Sequence, residues 1–161
     1  MQCIRHGGWF GTAICSLALI TTGALTVANA GQTQDANRKI VLAFTKAMQE
    51  QNLAVAVSYI TDGYIQHNPN VPTGKAGYLE FFTPRWKDGP KPSAPTLANP
   101  PVLSLAEGDE VVLVFKNTQP DPVDPNKSYD NFSFDAYRLE HGKIAEHWDG
   151  GLKRPPAPKP P

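Results

Sequence analysis

Cysteine is almost missing from this chain. Of 161 residues two are Cys, and both, Cys3 and Cys15, fall at the very start. Beyond them there is no thiol, which excludes a disulfide, a Cys nucleophile and a Cys-ligated metal there. An excess of one charge is missing too. Lys and Arg number 15, Asp and Glu number 15, and no basic run or stripe stands out. A nucleic-acid binder needs concentrated positive charge against phosphates, so that class gains no support. No internal repeat is visible. The apolar run of residues 12–27 is shorter than the ~20 residues that span a bilayer, and no Lys or Arg follows it until Arg38.

What stands at the N-terminus fits a different use. MQCIRHGGWF carries one Arg and no acid, the apolar run follows, and Ala28-Asn29-Ala30 gives the small-x-small pattern of a secretory signal peptide. An uncleaved anchor is the alternative. Cleavage after Ala30 is the preferred reading, with a secreted or periplasmic product that has no membrane attachment afterwards. Thr12-Ala13-Ile14 is a poor lead-in for lipid attachment at Cys15. Removing residues 1–30 takes Arg5 away and leaves a net charge of −1. The organisation is then a signal peptide at 1–30, one domain at 31–152, and a flexible proline-rich tail, KRPPAPKPP, at 153–161. Without disulfides, the domain must be held by its core.

Ile40, Val41, Phe44, Ala47 and Met48 recur at helical spacing, which predicts a helix to about residue 51 with Asp35 as a candidate cap. A shorter helix is expected over 53–60, stopped by Thr61-Asp62-Gly63. Tyr64 to His67 reads as a short extended piece ended by Asn68-Pro69. A third helix is expected over 75–86 with Thr73 as its cap. The Pro-rich stretch 90–101 cannot be regular helix. After it come strands at 102–106, 110–116, 129–139 and 143–149, with a loop at 119–126. Helices first and an antiparallel meander afterwards make an α+β layout, which leaves room for a pocket between the layers.

The stretch FDAYRLEHGKIAEHWDGG raises a question of register. A two-residue type I′ turn at His141-Gly142 would put both residues at positive φ, which is costly for His. The preferred alternative is a three-residue loop, Glu140-His141-Gly142, with only Gly142 left-handed. Asp135 then faces His147, and Ser133 faces Asp149, on one side of the sheet. Phe134 and Trp148, with Glu146 near Arg138, take the other. The type I′ register would put Asp135 and His147 on opposite faces.

With its amphipathic first helix, the segment YIQHNP, and the ending FDxYRLExGKIxEHWD, the chain resembles the SnoaL-like branch of the nuclear transport factor 2-like superfamily, from about Asp35 to Asp149. The resemblance implies a cone: three N-terminal helices packed on a strongly curved, mainly antiparallel sheet around a deep pocket. Members include polyketide cyclases that close rings by intramolecular aldol condensation. Relatives include ketosteroid isomerases and epoxide hydrolases, and some members only bind. Carried over by position, His67, His147 and Asp149 are expected to line the pocket, and Asp135 has inward-facing parity. The Pro-rich inserts and the tail depart from the family pattern.

His67, Asp135 and His147 make an acid–base set. A carboxylate beside an imidazole fixes its tautomer and raises its basicity. The chemistry that suits them is proton abstraction next to a carbonyl, with Tyr64 or the second His stabilising the enolate oxygen. Hydrolysis by activated water needs the same parts. Ser133, Asp149 and Tyr64 are the expected ligand contacts. The bland readings are a buried His147 satisfied by Asp135, a loop-bracing His67, a strand-capping Asp149 and a structural Glu146–Arg138 pair. No compact metal-ligand spacing or zinc motif exists, so neither metal nor cofactor is expected. Three readings compete: a small enzyme acting on an apolar carbonyl compound, a binding protein for a small apolar ligand, and an interaction module with a filled pocket. Exposed Phe134 and Trp148 would suit a homodimer through the outer sheet face.

Overall fold

A computed structural model of the protein describes residues 21–155, with side chains from residue 31 onward. Residues 1–20, most of the expected signal peptide, and residues 156–161 of the tail lie outside the described residues.

Helix α1 runs Thr21–Gln49. Its buried face is Val41, Phe44 and Ala47, the positions the 3.6-residue period selects. Asp35 does not cap it; it lies inside the helix and pairs with Arg38 one turn on. Nothing between Thr21 and Asp35 stops a helix, because the segment holds no Pro and its Gly residues only weaken one. Helix α2 (Leu53–Ser58) is capped by Asn52, whose side chain accepts the Val55 N–H at 3.2 Å. Helix α3 (Lys75–Phe82) is shorter than expected: Thr83 keeps helical angles and donates to the Leu79 carbonyl, but Pro84 has no N–H with which to continue the ladder. Its cap position is Gly74, at φ 85, with no side-chain bond. Thr73 instead accepts the Gln66 backbone N–H at 3.2 Å.

Five strands follow the order β1-β5-β4-β3-β2 in one open sheet. They are β1 (Ile60–Gln66), β2 (Leu103–Glu107), β3 (Glu110–Pro120), β4 (Ser128–Glu140) and β5 (Lys143–Asp149). β1 lies parallel to β5 and every other pair is antiparallel. β1 starts earlier than the sequence suggests: Thr61-Asp62-Gly63 is part of it, and an irregularity in the β1–β5 register absorbs the segment. β3 and β4 pair as far as Pro120 and Ser128, so the expected loop between them narrows. Val111, Leu113, Tyr137, Leu139 and Ile144 turn their side chains to the helices, where they meet Val41 and Phe44. The Phe44 and Tyr137 rings pack edge-on at 5.9 Å. The opposite sheet face leaves Leu105, Phe132 and Phe134 exposed.

The β4–β5 turn corrects the sequence reading. Glu140 pairs with Lys143, and both His141 (φ 49) and Gly142 (φ 74) are left-handed. The turn is the two-residue type whose twist matches the strands, and His is among the residues that tolerate the region. Taken alone, that register separates Asp135 from His147. A bulge undoes the separation: Leu139 faces Ile144 but Arg138 faces Glu146, so Ala145 has no partner. Beyond it Tyr137 faces His147 and Asp135 faces Asp149. Asp135 and His147 therefore share a face, though as diagonal neighbours rather than opposite ones. Arg154, just past the domain, donates its backbone N–H to Asn70 Oδ1 at 2.8 Å.

A Cβ on Gly142 would meet only ordinary contact, with Ile40 Cδ1 at 4.0 Å, so its backbone angle sets the cost of substitution. Gly142→Ala is expected to lower stability by ~1–2 kcal/mol in urea unfolding with an unchanged slope. His141→Asn is expected to be nearly neutral.

Candidate active site

Period-two alternation builds the site. On β1, Tyr64 and Gln66 point to the helices, and Asn68 continues the series past the strand end. His147 and Asp149 come from β5, Ser133, Asp135 and Tyr137 from β4, and Phe115 and Asn117 from β3. Phe44 and Met48 of α1, with Tyr78 and Phe82 of α3, cover them. The cleft between the two layers measures about 420 Å³, a size that suits a small molecule. Among the described residues it is lined by the two carboxylates of Asp135 and Asp149 and by no Lys or Arg. The Pro-rich segment reaches its mouth, where Asn99 and Gln49 exchange two hydrogen bonds of 2.8 and 3.2 Å.

Within the cleft the polar groups form one chain. Asn68 accepts the Asn70 backbone N–H at 2.9 Å and donates its Nδ2 to the Asp149 carboxylate at 2.8 Å. Asp149 Oδ1 also takes the Gly151 N–H at 2.8 Å. A Cβ at Gly151 would lie 2.8 Å from that same oxygen, so the close approach requires glycine. The Asn68 backbone N–H donates to Gln66 Oε1 at 2.9 Å, and Gln66 Nε2 donates to Tyr64 Oη at 3.1 Å. His147 stacks on the Tyr137 ring at 4.7 Å and sets Nδ1 3.1 Å from Gln66 Oε1. Its other nitrogen, Nε2, is buried with no hydrogen-bond partner and lies 3.5 Å from Asp135 Oδ1. Tyr64 is 1% exposed. Burial, and then Tyr78 and the two carboxylates, push its hydroxyl well above the usual phenol range, so it keeps its proton.

Of the residues singled out in the sequence, Asp135, His147, Tyr64, Ser133 and Asp149 meet in this cleft, and His67 does not. His67 has the opposite parity from Gln66. It is 42% exposed, lies 2.7 Å from Glu146 Oε1 and stacks flat on Trp148 with ring centres 4.9 Å apart. The residues missed were Gln66 and Asn68. A signal was present: counting by twos from Tyr64 selects them and skips His67. Glu146 also accepts Arg138 Nε at 2.9 Å, and this outer-face cluster is structural.

Single ligand atoms of Asp135, His147 and Asp149 come within 4.8 Å of one another, among the described residues. Asp149 takes three hydrogen bonds from Asn68 and Gly151, most of the roughly four lone-pair sites of a carboxylate.

The profile of the SnoaL-like domain matches residues 41–147, which carry the cleft strands up to His147 and stop two residues short of Asp149 at the end of β5. The chain belongs to the SnoaL-like domain family. No curated protein matches it. Among solved structures, this SnoaL-like chain is similar to a candidate polyketide cyclase from Xanthomonas campestris pv. campestris, at 14% identity and TM-score 0.51, over 72% of this chain and 90% of the other. It is also similar to an epoxide hydrolase of the LEH-like type from M. tuberculosis, at 12% identity and TM-score 0.52, over 73% and 83%. At such identities the likeness is one of fold.

The outer-face cluster carries a pH signature. Hydrogen bonds from His67 first and Arg138 second hold the Glu146 carboxyl below its ordinary value of 4.5. A lowered folded-state value stabilises the fold above pH ~4.5, and the gain fades as pH falls through the folded value. Glu146→Gln is expected to flatten that part of the acid limb in a stability–pH series and to leave the region above pH 6 parallel to wild type.

Proposed function

We propose that this SnoaL-like domain is an enzyme that moves a proton next to a carbonyl group, in an aldol-type cyclisation or an isomerisation. The observation that carries the reading is His147 Nε2: a buried nitrogen without a partner, aimed into an apolar cleft beside Asp135. In the step, Nε2 takes the proton from the carbon beside the carbonyl. The electron pair moves to the oxygen, which accepts a hydrogen bond from the Tyr64 hydroxyl. Asp135 stabilises the imidazolium. The proton then returns to the new alkoxide in a cyclisation, or to a different carbon in an isomerisation. Such catalysis needs the imidazole neutral at the start.

The lining narrows the substrate class. Two carboxylates and no Lys or Arg disfavour phosphorylated or carboxylated compounds. Phe44, Met48, Tyr78 and Phe82 favour an apolar body, and Asn117 and Ser133 offer hydrogen bonds to oxygens at one end. The substrate is then a neutral, largely apolar carbonyl compound. Family membership and fold neighbours among cyclases and hydrolases agree with this class. His147→Gln and Asp135→Asn are each expected to lower kcat by roughly 10²- to 10⁴-fold with ligand affinity retained, read by turnover and by fluorescence titration side by side. Unchanged affinity with no turnover by wild type, across a panel of carbonyl compounds, would point to a binding protein of the same fold.

We also propose that the domain is exported and forms a two-fold dimer. The N-terminal pattern supports export. Phe132 and Phe134, 50% and 58% exposed, extend a largely apolar outer face through Val114 and Leu103 on the neighbouring strands. Native mass spectrometry of the protein expressed with its full N-terminus reads both claims. Chains beginning at Gly31 and present as pairs are expected, with Phe134→Glu giving single chains. An intact N-terminus would overturn export, and single wild-type chains would overturn the dimer.

A further inference from the structure

The inference concerns which atom of His147 takes the proton and what selects it; its catalytic consequence rests on the proposed function, its structural content does not. We infer that Gln66 is a positioning residue that holds neutral His147 in the Nδ1–H tautomer and so presents Nε2 as the bare base.

A backbone N–H can only donate. The Asn68 N–H lies 2.9 Å from one end of the Gln66 amide, so that end is the oxygen, Oε1. The amide NH₂ must then face Tyr64, whose hydroxyl oxygen accepts it at 3.1 Å. His147 Nδ1 meets the same Oε1 at 3.1 Å. An oxygen cannot donate, so Nδ1 carries the hydrogen. Neutral imidazole has only one N–H, and Nε2 is therefore unprotonated.

Two features make this a choice imposed by the protein. The histidine side chain free in water prefers the opposite tautomer, with the proton on Nε2. The nearest acceptor in the cleft also favours that opposite form, because Asp135 Oδ1 lies 3.5 Å from Nε2 and would welcome an N–H there. Gln66 is the group on the other side of the ring that opposes both. Its own orientation is held at both ends, by Asn68 and by Tyr64, and the rigid segment from Tyr64 to Asn68 thus writes the proton's place onto β5. The cost is an acceptor facing a carboxylate in a buried cleft. A substrate that brings a proton to Nε2 relieves that cost, and Asp135 then faces an imidazolium instead.

The inference names the role of one residue in one tautomer, so it is read without any substrate. The experiment is nitrogen-15 NMR of the His147 imidazole in histidine-labelled full chain, above the pH where the ring is neutral, with the signal assigned by His147→Gln. Wild type is expected to show a protonated Nδ1 and a bare Nε2. In Gln66→Leu the ring is expected to switch to Nε2–H donated to Asp135. In Gln66→Glu, where a carboxylate replaces the acceptor, Nδ1–H is expected to return. A wild-type ring protonated on Nε2 overturns the inference, and so does a Gln66→Leu ring that keeps Nδ1–H. Should Gln66→Leu not fold, wild type together with Gln66→Glu decides. Where a carbonyl substrate is turned over, Gln66→Leu is expected to lose kcat on the order of 10²-fold or more with little change in KM, and Gln66→Glu to recover most of it. Correct tautomers without turnover would leave the inference standing and remove the enzymatic reading alone.

Discussion

Ala145 is one residue too many for its strand. Between the turn and the bulge, β5 pairs with β4 in a register that would send His147 to the outer face. Past the bulge every side chain on β5 has changed sides. This single insertion puts His147 and Asp149 on the same face as Asp135, and sends Glu146 and Trp148 outward to meet Arg138 and His67. It also sets which residues of β1 can matter, because β1 runs parallel to β5 and pairs Gln66 with His147. The cleft, the outer ion pairs and the polar chain all follow from where that extra residue sits.

Given that register, the backbone dictates the polarity of the site. Three main-chain N–H groups, on Asn68, Asn70 and Gly151, can only donate, and they fix Gln66, Asn68 and Asp149 respectively. Orientation then passes from side chain to side chain without ambiguity. Each acceptor along this chain has its donor, except the one at the end, His147 Nε2. An unpartnered buried nitrogen is expensive in an apolar setting. It lies beside the carboxylate of Asp135. Tyr64, kept protonated by burial, supplies the matching donor a few residues away on the same strand pair.

The layers and the inward set on β4 and β5 were legible in the sequence, because period-two alternation in FDAYRLE and EHWD survives any even shift of register. What failed was local. His141 at positive φ looked too costly, yet the twist of a two-residue turn outweighed it, and the bulge that restored parity has no distinctive residue: Ala145 is an ordinary alanine. His67 was chosen for its chemistry rather than its parity, and Gln66, chemically dull, was passed over. Asp35 looked like a helix cap only because the polar segment before it was read as loop. The contact between Asn99 and Gln49 at the cleft mouth joins residues fifty apart and has no sequence signature at all.

The central claim is that Tyr64 Oη faces the carbonyl oxygen on which charge develops while His147 Nε2 faces the neighbouring carbon that gives up its proton. A crystal structure of the protein soaked with a phenol, a flat mimic of an enolate, tests it most directly. The account predicts the phenol oxygen within hydrogen-bond distance of Tyr64 Oη, with His147 Nε2 facing the ring carbon beside it and the ring against Phe44 and Tyr78. A phenol seated elsewhere, or a His147 ring turned so that Nε2 meets Gln66, would contradict it.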